Sequence, residues 1–394
     1  MSDVYVLAGA RTPIGKFLGS LSRVAATELG AIVVRESLRR ASVEPRDVDD
    51  VILGMVLPAG VGQAPARQAA LKAGLPPTVA ALTINMMCGS GLKAVMLAAR
   101  AVKAGDARIV VAGGMESMSQ APFLLRGARD GLKFGDAKLV DSMLSDGLWC
   151  AFDDCHMGSH AEYTARSRGI SRGDQDAFAV ESQRRAVLAL AETRFTDEIT
   201  PIPVTVKGKE TFVSVDESPR PDTTTDSLAR LAPAFQADGT VTAGNASTIS
   251  DGAAAVVVAN ERIASLSSAP WKARILAYHT SGGKPRDLFV APVTAIQGAL
   301  SKAKLTVDNI DLFEINEAFA VQMLACVREL RLDPAKVNIH GGAIALGHPI
   351  GASGARVLVT LLSALHQRGL RRGVASLCLG GGNAVAMVVE RVEC

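Results

Sequence analysis

The sequence predicts an α/β fold built from two copies of one supersecondary unit, with a large insertion in the first copy. Three observations carry that reading. Short runs of Val, Ile and Leu alternate with Ala-rich stretches of helical spacing, and 37 glycines punctuate them, as in a layered fold with buried strands. The series of elements occurs twice. Between the copies' shared features lies a stretch of different texture, 119–247, richer in Asp, Thr, Arg and Pro.

The elements follow in order. Val4-Tyr5-Val6-Leu7 opens the chain as a strand. The segment from Glu44 to Ile52 resembles that from Thr306 to Phe313, each a capped turn running into a buried strand. A small-residue turn then opens a long helix in each copy, Gly89-Ser90-Gly91 in the first and Ala352-Ser353-Gly354 in the second. In the first, Leu92, Val95, Met96, Ala99 and Val102 recur at helical spacing, so the helix starts at about Ser90. Each helix leads to a glycine-ended strand, 109–114 and 374–382, and the closing strands 252–258 and 382–388 match as well. The predicted units are 1–118 plus 248–270, the insertion 119–247, and 271–394. Two mixed sheets should pack around the paired helices. The insertion reads either as a cap that carries binding determinants or as an oligomer contact.

With 48% apolar and 21% charged side chains over 394 residues, the chain is an ordinary globular one, sized for two or three domains. Lys plus Arg outnumber Asp plus Glu by only 42 to 39, and no run of five or six basic residues occurs, which excludes a nucleic-acid platform. The most apolar stretches, 253–259 and 357–365, are shorter than a bilayer span, and the opening residues lack the pattern of a leader. A cytoplasmic protein with no membrane partner is expected. Cys88, Cys150, Cys155, Cys326, Cys378 and Cys394 form no C-x-x-C pair or disulfide framework, so any that matter should act as thiols.

Cys88 falls just before the first turn of its helix. A free cysteine with a pKa of about 8.5 is only ~3% thiolate at pH 7, and the unpaired amides of a helix N-terminus lower that pKa. Gly89 and Gly91 read as leaving room for a substrate's approach. Alone, a cysteine beside Gly-Ser-Gly is as readily a small buried residue. His348, before Pro349, is held extended in a loop ahead of the second helix, either poised for proton transfer or simply satisfied. Cys378 ends a buried strand before Gly380-Gly381-Gly382, where backbone amides can turn toward a ligand. Asn316 and Glu317 sit at a strand-to-helix junction, where either also serves as a cap.

Together, Cys88-Gly89-Ser90-Gly91, Asn316-Glu317-Ala318-Phe319, Gly347-His348-Pro349 and Cys378-Leu379-Gly380-Gly381-Gly382 resemble the motifs of the thiolase family, in the same order and spacing. The resemblance spans the chain from Arg11-Thr12-Pro13-Ile14-Gly15 to the last strand. It implies a duplicated αβαβα layered fold whose inserted loop domain binds coenzyme A and helps form a homotetramer, with 118–141 matching the tetramerisation loop.

By that resemblance Cys88 would be the acylated nucleophile, His348 would accept its proton, and Cys378 would move the α-proton of a second acyl-CoA. Asn316, through a water, and His348 would steady the enolate oxygen, while the amides of Cys88 and Gly380 would hold the thioester oxygen. Ser247 would contact the pantetheine arm, and Arg220 and Ser227 the nucleotide end. Taken without the motifs, these three are a turn, a surface charge and a helix cap. Leu148, His156, Met157, Ala243, Ala318 and Phe319 would line the acyl pocket, the irregular run from Trp149 to Cys155 being its least regular wall. His156-Met157-Gly158 resembles the short-chain members, so the implied reaction is reversible condensation of two acetyl-CoA into acetoacetyl-CoA and CoA. The alternative is a longer-chain 3-ketoacyl-CoA enzyme of β-oxidation. Coenzyme A and its acyl forms would be substrates, and no cofactor or metal is expected.

Other motifs point elsewhere and are weaker. Gly169-Ile170-Ser171-Arg172-Gly173 fits G-x-S-x-G, but the polar helical pattern before it is not the buried strand of a nucleophile elbow, and Ser171 stands three before Asp174 like an N-cap. His156 and His160 stand four apart without H-E-x-x-H or an evident third ligand. No G-x-G-x-x-G or P-loop occurs. Decarboxylating condensing enzymes of this architecture replace the second cysteine, and a non-catalytic relative should lack one of the four key residues; Cys378 and the complete set count against both.

Overall fold

The computed structural model describes residues 3–206, 208–269 and 271–392. Cys394 and the outermost residues of the predicted units (1, 2, 270 and 393) lie outside them.

The Ser250–Asn260 strand is buried along nearly its whole length, which is why its sequence runs apolar without alternation. It pairs antiparallel with Val4–Arg11 on one side and Ile109–Ser117 on the other, and Asp50–Gly54 joins Ile109–Ser117 in parallel. The second half repeats this order. Asn383–Arg391 lies antiparallel between Ala273–Gly282 and Arg372–Leu379, and Leu312–Ile315 adds in parallel. Even the irregularity recurs, with a register shift between Val6 and Ala8 and another between Ile275 and Ala277. The two expected sheets are, however, continuous: a short ladder of Tyr5 with Arg274 and Val6 with Ala273 joins them into one ten-stranded sheet. The free backbone groups of two matching edge strands are thereby paired.

At the centre, the Ser90–Ala104 and Ser353–Gln367 helices pack on each other. Ser353 to Leu365 is buried on every face, as a helix covered on all sides must be. Their approach requires glycine: a Cβ on Gly354 would come 2.3 Å from the Leu92 amide nitrogen, and one on Gly91 would come 2.7 Å from that of Ala355. Outside the first half's sheet lies the amphipathic Ala26–Ala41 helix, burying Leu29, Val33, Val34 and Leu38; Ala291–Ala303 covers the second half's strands. The layers therefore alternate helix, sheet, helix, sheet, helix.

The described residues of 119–247 add no strand to the large sheet. They form three two-stranded ladders and the Met157–Arg168, Arg172–Ala191 and Thr225–Ala229 helices. Ser171 is the N-cap of the second of these, its Oγ accepting from the Asp174 amide at 3.1 Å. A serine committed to a capping box is not a nucleophile on an elbow.

Candidate active site

Cys88 is placed by a tight turn. Met87 before it has φ +50°, an unusual backbone for a methionine, and Ser90 Oγ holds the turn by accepting from the Met86 amide at 2.8 Å and donating to Met87 O at 2.7 Å. Gly89 does not clear a path for substrate, as the sequence suggested. A Cβ there would lie 2.3 Å from Leu379 Cδ2, so the glycines at 89 and 91 serve close packing against the second half. That packing brings the turn carrying Cys88 to the strand carrying Cys378.

Both thiols are held protonated. Burial pushes Cys88 up to about 12, against the amides of Cys88 and Gly380, which face its sulfur and favour the thiolate. The expected lowering by the helix end is outweighed by loss of solvent. Cys378 is held well above the ordinary thiol range, first by burial and then by the neighbouring Cys88 and Cys326.

His348 is the converse case. Burial, reinforced by Arg356, lowers its pKa to about 3, so the ring is neutral. Ser353 Oγ lies 2.6 Å from His348 Nδ1 and donates its own proton to Pro349 O at 2.8 Å, so it accepts from Nδ1–H. This assigns the tautomer and leaves the lone pair on Nε2, which faces the Asn316 amide at 3.4 Å. Asn316 is fully buried, and its Oδ1 has no hydrogen-bond partner among the described residues. Glu317 beside it fastens the junction by accepting from Ser182 Oγ at 2.6 Å, Asn338 Nδ2 at 2.9 Å and the Ile344 amide at 3.2 Å.

One cavity of about 760 Å³ gathers Cys88, His348, Cys378 and Gly380 with Leu148, His156, Met157, Arg220, Ala243, Ser247, Ala318 and Phe319. Ser247 meets Ala318 because its amide donates to Ala318 O at 3.0 Å. Asn316 stands behind the lining, and Ser227 does not reach it. Instead Ser227 closes a capping box with Thr224, its Oγ accepting from the Thr224 amide at 3.0 Å. His156 caps the Met157–Arg168 helix, its Nδ1 accepting from the Gly158 amide at 3.0 Å.

Some lining residues escape the sequence reading. Phe235 stacks on His156 at 4.6 Å, and Phe289 meets Phe319 edge-on at 5.1 Å, making an aromatic wall around Met157. Gly158 marks where that wall passes, since a Cβ there would lie 2.2 Å from the Phe235 ring. Ser353 carried a signal, sitting five residues after His348 in the turn that opens the second helix. Lys16 and Arg220 put positive charge on the same cavity.

The duplicated α/β fold closes two thiols, a neutral imidazole and facing amides into one pocket, an arrangement suited to acyl transfer. Models of the thiolase N-terminal and C-terminal domains match residues 4–262 and 269–391, and the chain belongs to the thiolase family. It is 53% identical over 392 residues to an acetyl-CoA acetyltransferase of Pseudomonas aeruginosa, covering 99% of this chain and 100% of the relative. A probable acetyl-CoA acetyltransferase of Escherichia coli is 49% identical over 393 residues, covering 100% of both. The crystal structure of the Bacillus anthracis acetyl-CoA acetyltransferase superposes with a TM-score of 0.96 at 41% identity, covering 100% of this chain and 99% of that one.

Proposed function

We propose that the protein is an acetyl-CoA C-acetyltransferase that condenses two acetyl-CoA reversibly into acetoacetyl-CoA and CoA through an acetyl-Cys88 intermediate. The observation that carries this reading is the convergence of Cys88, Cys378 and neutral His348 on one cavity walled by Met157 and aromatic rings. The names of the close relatives support it.

In this scheme His348 Nε2 takes the Cys88 proton as sulfur attacks the acetyl-CoA carbonyl, whose oxygen is held by the amides of Cys88 and Gly380. CoA leaves with the Cys378 proton. The resulting Cys378 thiolate removes the α-proton of a second acetyl-CoA, and protonated His348, with Asn316 acting through a water, steadies the enolate oxygen. Carbon attack on acetyl-Cys88 releases acetoacetyl-CoA, and Cys88 recovers its proton from His348. Charge appears only as a cation and anion together, which suits a centre whose two thiols and imidazole all rest neutral.

Leu148, His156, Met157, Ala243, Ala318 and Phe319 would wall the acyl and pantetheine arms, with Ser247 beside them. Arg220 with Lys16 would attract the phosphates and Ser227 would stand at the nucleotide rim. Acyl-CoA substrates supply every group the scheme consumes, so it calls on no cofactor. We propose in addition that the enzyme is a cytoplasmic homotetramer. No helix among the described residues is long and apolar enough to cross a membrane, and the hairpin within 118–141 exposes Phe123, Phe134 and Leu139.

Chain length tests the substrate. Each methylene a pocket accepts contributes about 0.8 kcal/mol, whereas overpacking costs typically 1–3 kcal/mol. With Met157 and Phe319 filling the acyl end, acetoacetyl-CoA should be cleaved with kcat/KM at least ~10-fold above the six-carbon substrate, and Met157→Ala should narrow the gap. Equal or faster thiolysis of six- to ten-carbon substrates by the unaltered enzyme would assign it to longer chains.

A further inference from the structure

Beside the acyl pocket, Trp149–Cys150 pairs with Cys155–His156 in a two-stranded hairpin, and the Met157–Arg168 helix begins directly after it. The first turn of that helix carries His160 toward the hairpin. Cys150 Sγ, an Asp153 carboxylate oxygen and a His160 ring nitrogen all lie within 4.8 Å of one another. Two of the three are withdrawn from solvent, Cys150 being 3% and His160 4% exposed.

The catalytic scheme uses none of them. His160 Nε2 faces Asp153 Oδ2 at 3.0 Å, whereas Nδ1 has no hydrogen-bond partner among the described residues. A buried imidazole left this way is an exception that asks for a ligand. The Asp153 amide donates to Cys150 Sγ at 3.4 Å, which ties the tip of the hairpin to the sulfur. Asp153, on the exposed tip, gives an entry path, and its other oxygen faces Arg286 at 3.8 Å. Tetrahedral zinc with one sulfur and two lighter donors requires ligand separations of roughly 3.2–3.7 Å, within the reach of this cluster.

We propose that Cys150, Asp153 and His160 form a zinc-binding site that pins the hairpin to the helix, with water in the fourth position. Thiolate, imidazole and carboxylate together select a borderline-soft divalent cation over magnesium or calcium. Binding releases the Cys150 proton to solvent, while His160 ligates as the neutral ring. Because Leu148, His156 and Met157 flank the cluster, the metal would stiffen the acyl-pocket wall without entering the reaction. The sequence showed His156 and His160 but hid the convergence, since the hairpin turn is what returns Cys150 and Asp153 to the helix.

The test uses the full-length protein, stripped with a chelator under reducing conditions and titrated with Co²⁺. One equivalent per chain should bind with a thiolate-to-cobalt charge-transfer band, Zn²⁺ should displace it, and Zn²⁺ alone should raise the thermal midpoint. Cys150→Ser and His160→Gln should each abolish the band, and Cys88→Ser should keep it. Should either buried variant fail to fold, Asp153→Asn at the exposed tip should weaken Co²⁺ binding at least about tenfold. No band in the unaltered protein, a band that survives both Cys150→Ser and His160→Gln, unchanged affinity in Asp153→Asn, or a Cys150–Cys155 disulfide in the reduced preparation would overturn the proposal.

Discussion

Cys88, held near 12, is a poor nucleophile until a base takes its proton, and His348, lowered to about 3, is a base that solvent protons leave free. A histidine with a lowered pKa keeps its basic form at every pH above the lowered value, so the ring stays neutral as pH falls through the ordinary 6.5. In a histidine NMR titration, the His348 resonance should not move between pH 8 and 5; a midpoint near 6.5 would contradict the burial argument. The orientation of that ring rests on Ser353. Ser353→Ala would leave a buried Nδ1–H without its acceptor, a cost of about 1–3 kcal/mol, or roughly 5- to 150-fold in rate where orientation matters. The account expects that loss in kcat, with KM little changed and activity restored by Ser353→Thr. A loss confined to KM would deny Ser353 its positioning role.

Among the elements, the paired central helices bear most directly on the site, because their contact brings the turns of Cys88 and His348 together. Glycine in a helix ordinarily costs stability relative to alanine, but at Gly354 the added Cβ would press on backbone that cannot turn aside. Gly354→Ala should therefore destabilise by about 1–3 kcal/mol. Gly173, in a helix whose nearest contact to a Cβ is Ser171 Oγ at 3.9 Å, should instead gain roughly 0.5 kcal/mol as alanine. Thermal melts of both variants decide the matter, and equal shifts would contradict it. What could be read in advance follows the same division. The start of the Ser90–Ala104 helix, the Ser171 cap and the matched strands were legible because they rest on local spacing and capping chemistry. The packing duty of Gly89 and the aromatic wall were not, because each depends on a partner distant in sequence.

For the whole molecule, the duplicated halves supply the floor of the pocket while the insertion supplies walls and an exposed apolar hairpin. Phe134 is fully exposed and Phe123 and Leu139 are each 65% exposed, an apolar hairpin face available to a partner chain. Light scattering at micromolar concentration should give the mass of four chains, and Phe123→Asp should reduce it; a monomeric parent would contradict the tetramer. The central claim is that one cysteine carries the acetyl group and the other only moves a proton. Mass spectrometry after exposure to acetyl-CoA tests it most directly. Cys378→Ala should carry one acetyl group on the peptide containing Cys88 yet make no acetoacetyl-CoA, and Cys88→Ala should carry none; full turnover by Cys378→Ala, or acetyl trapped on Cys88→Ala, would contradict the account.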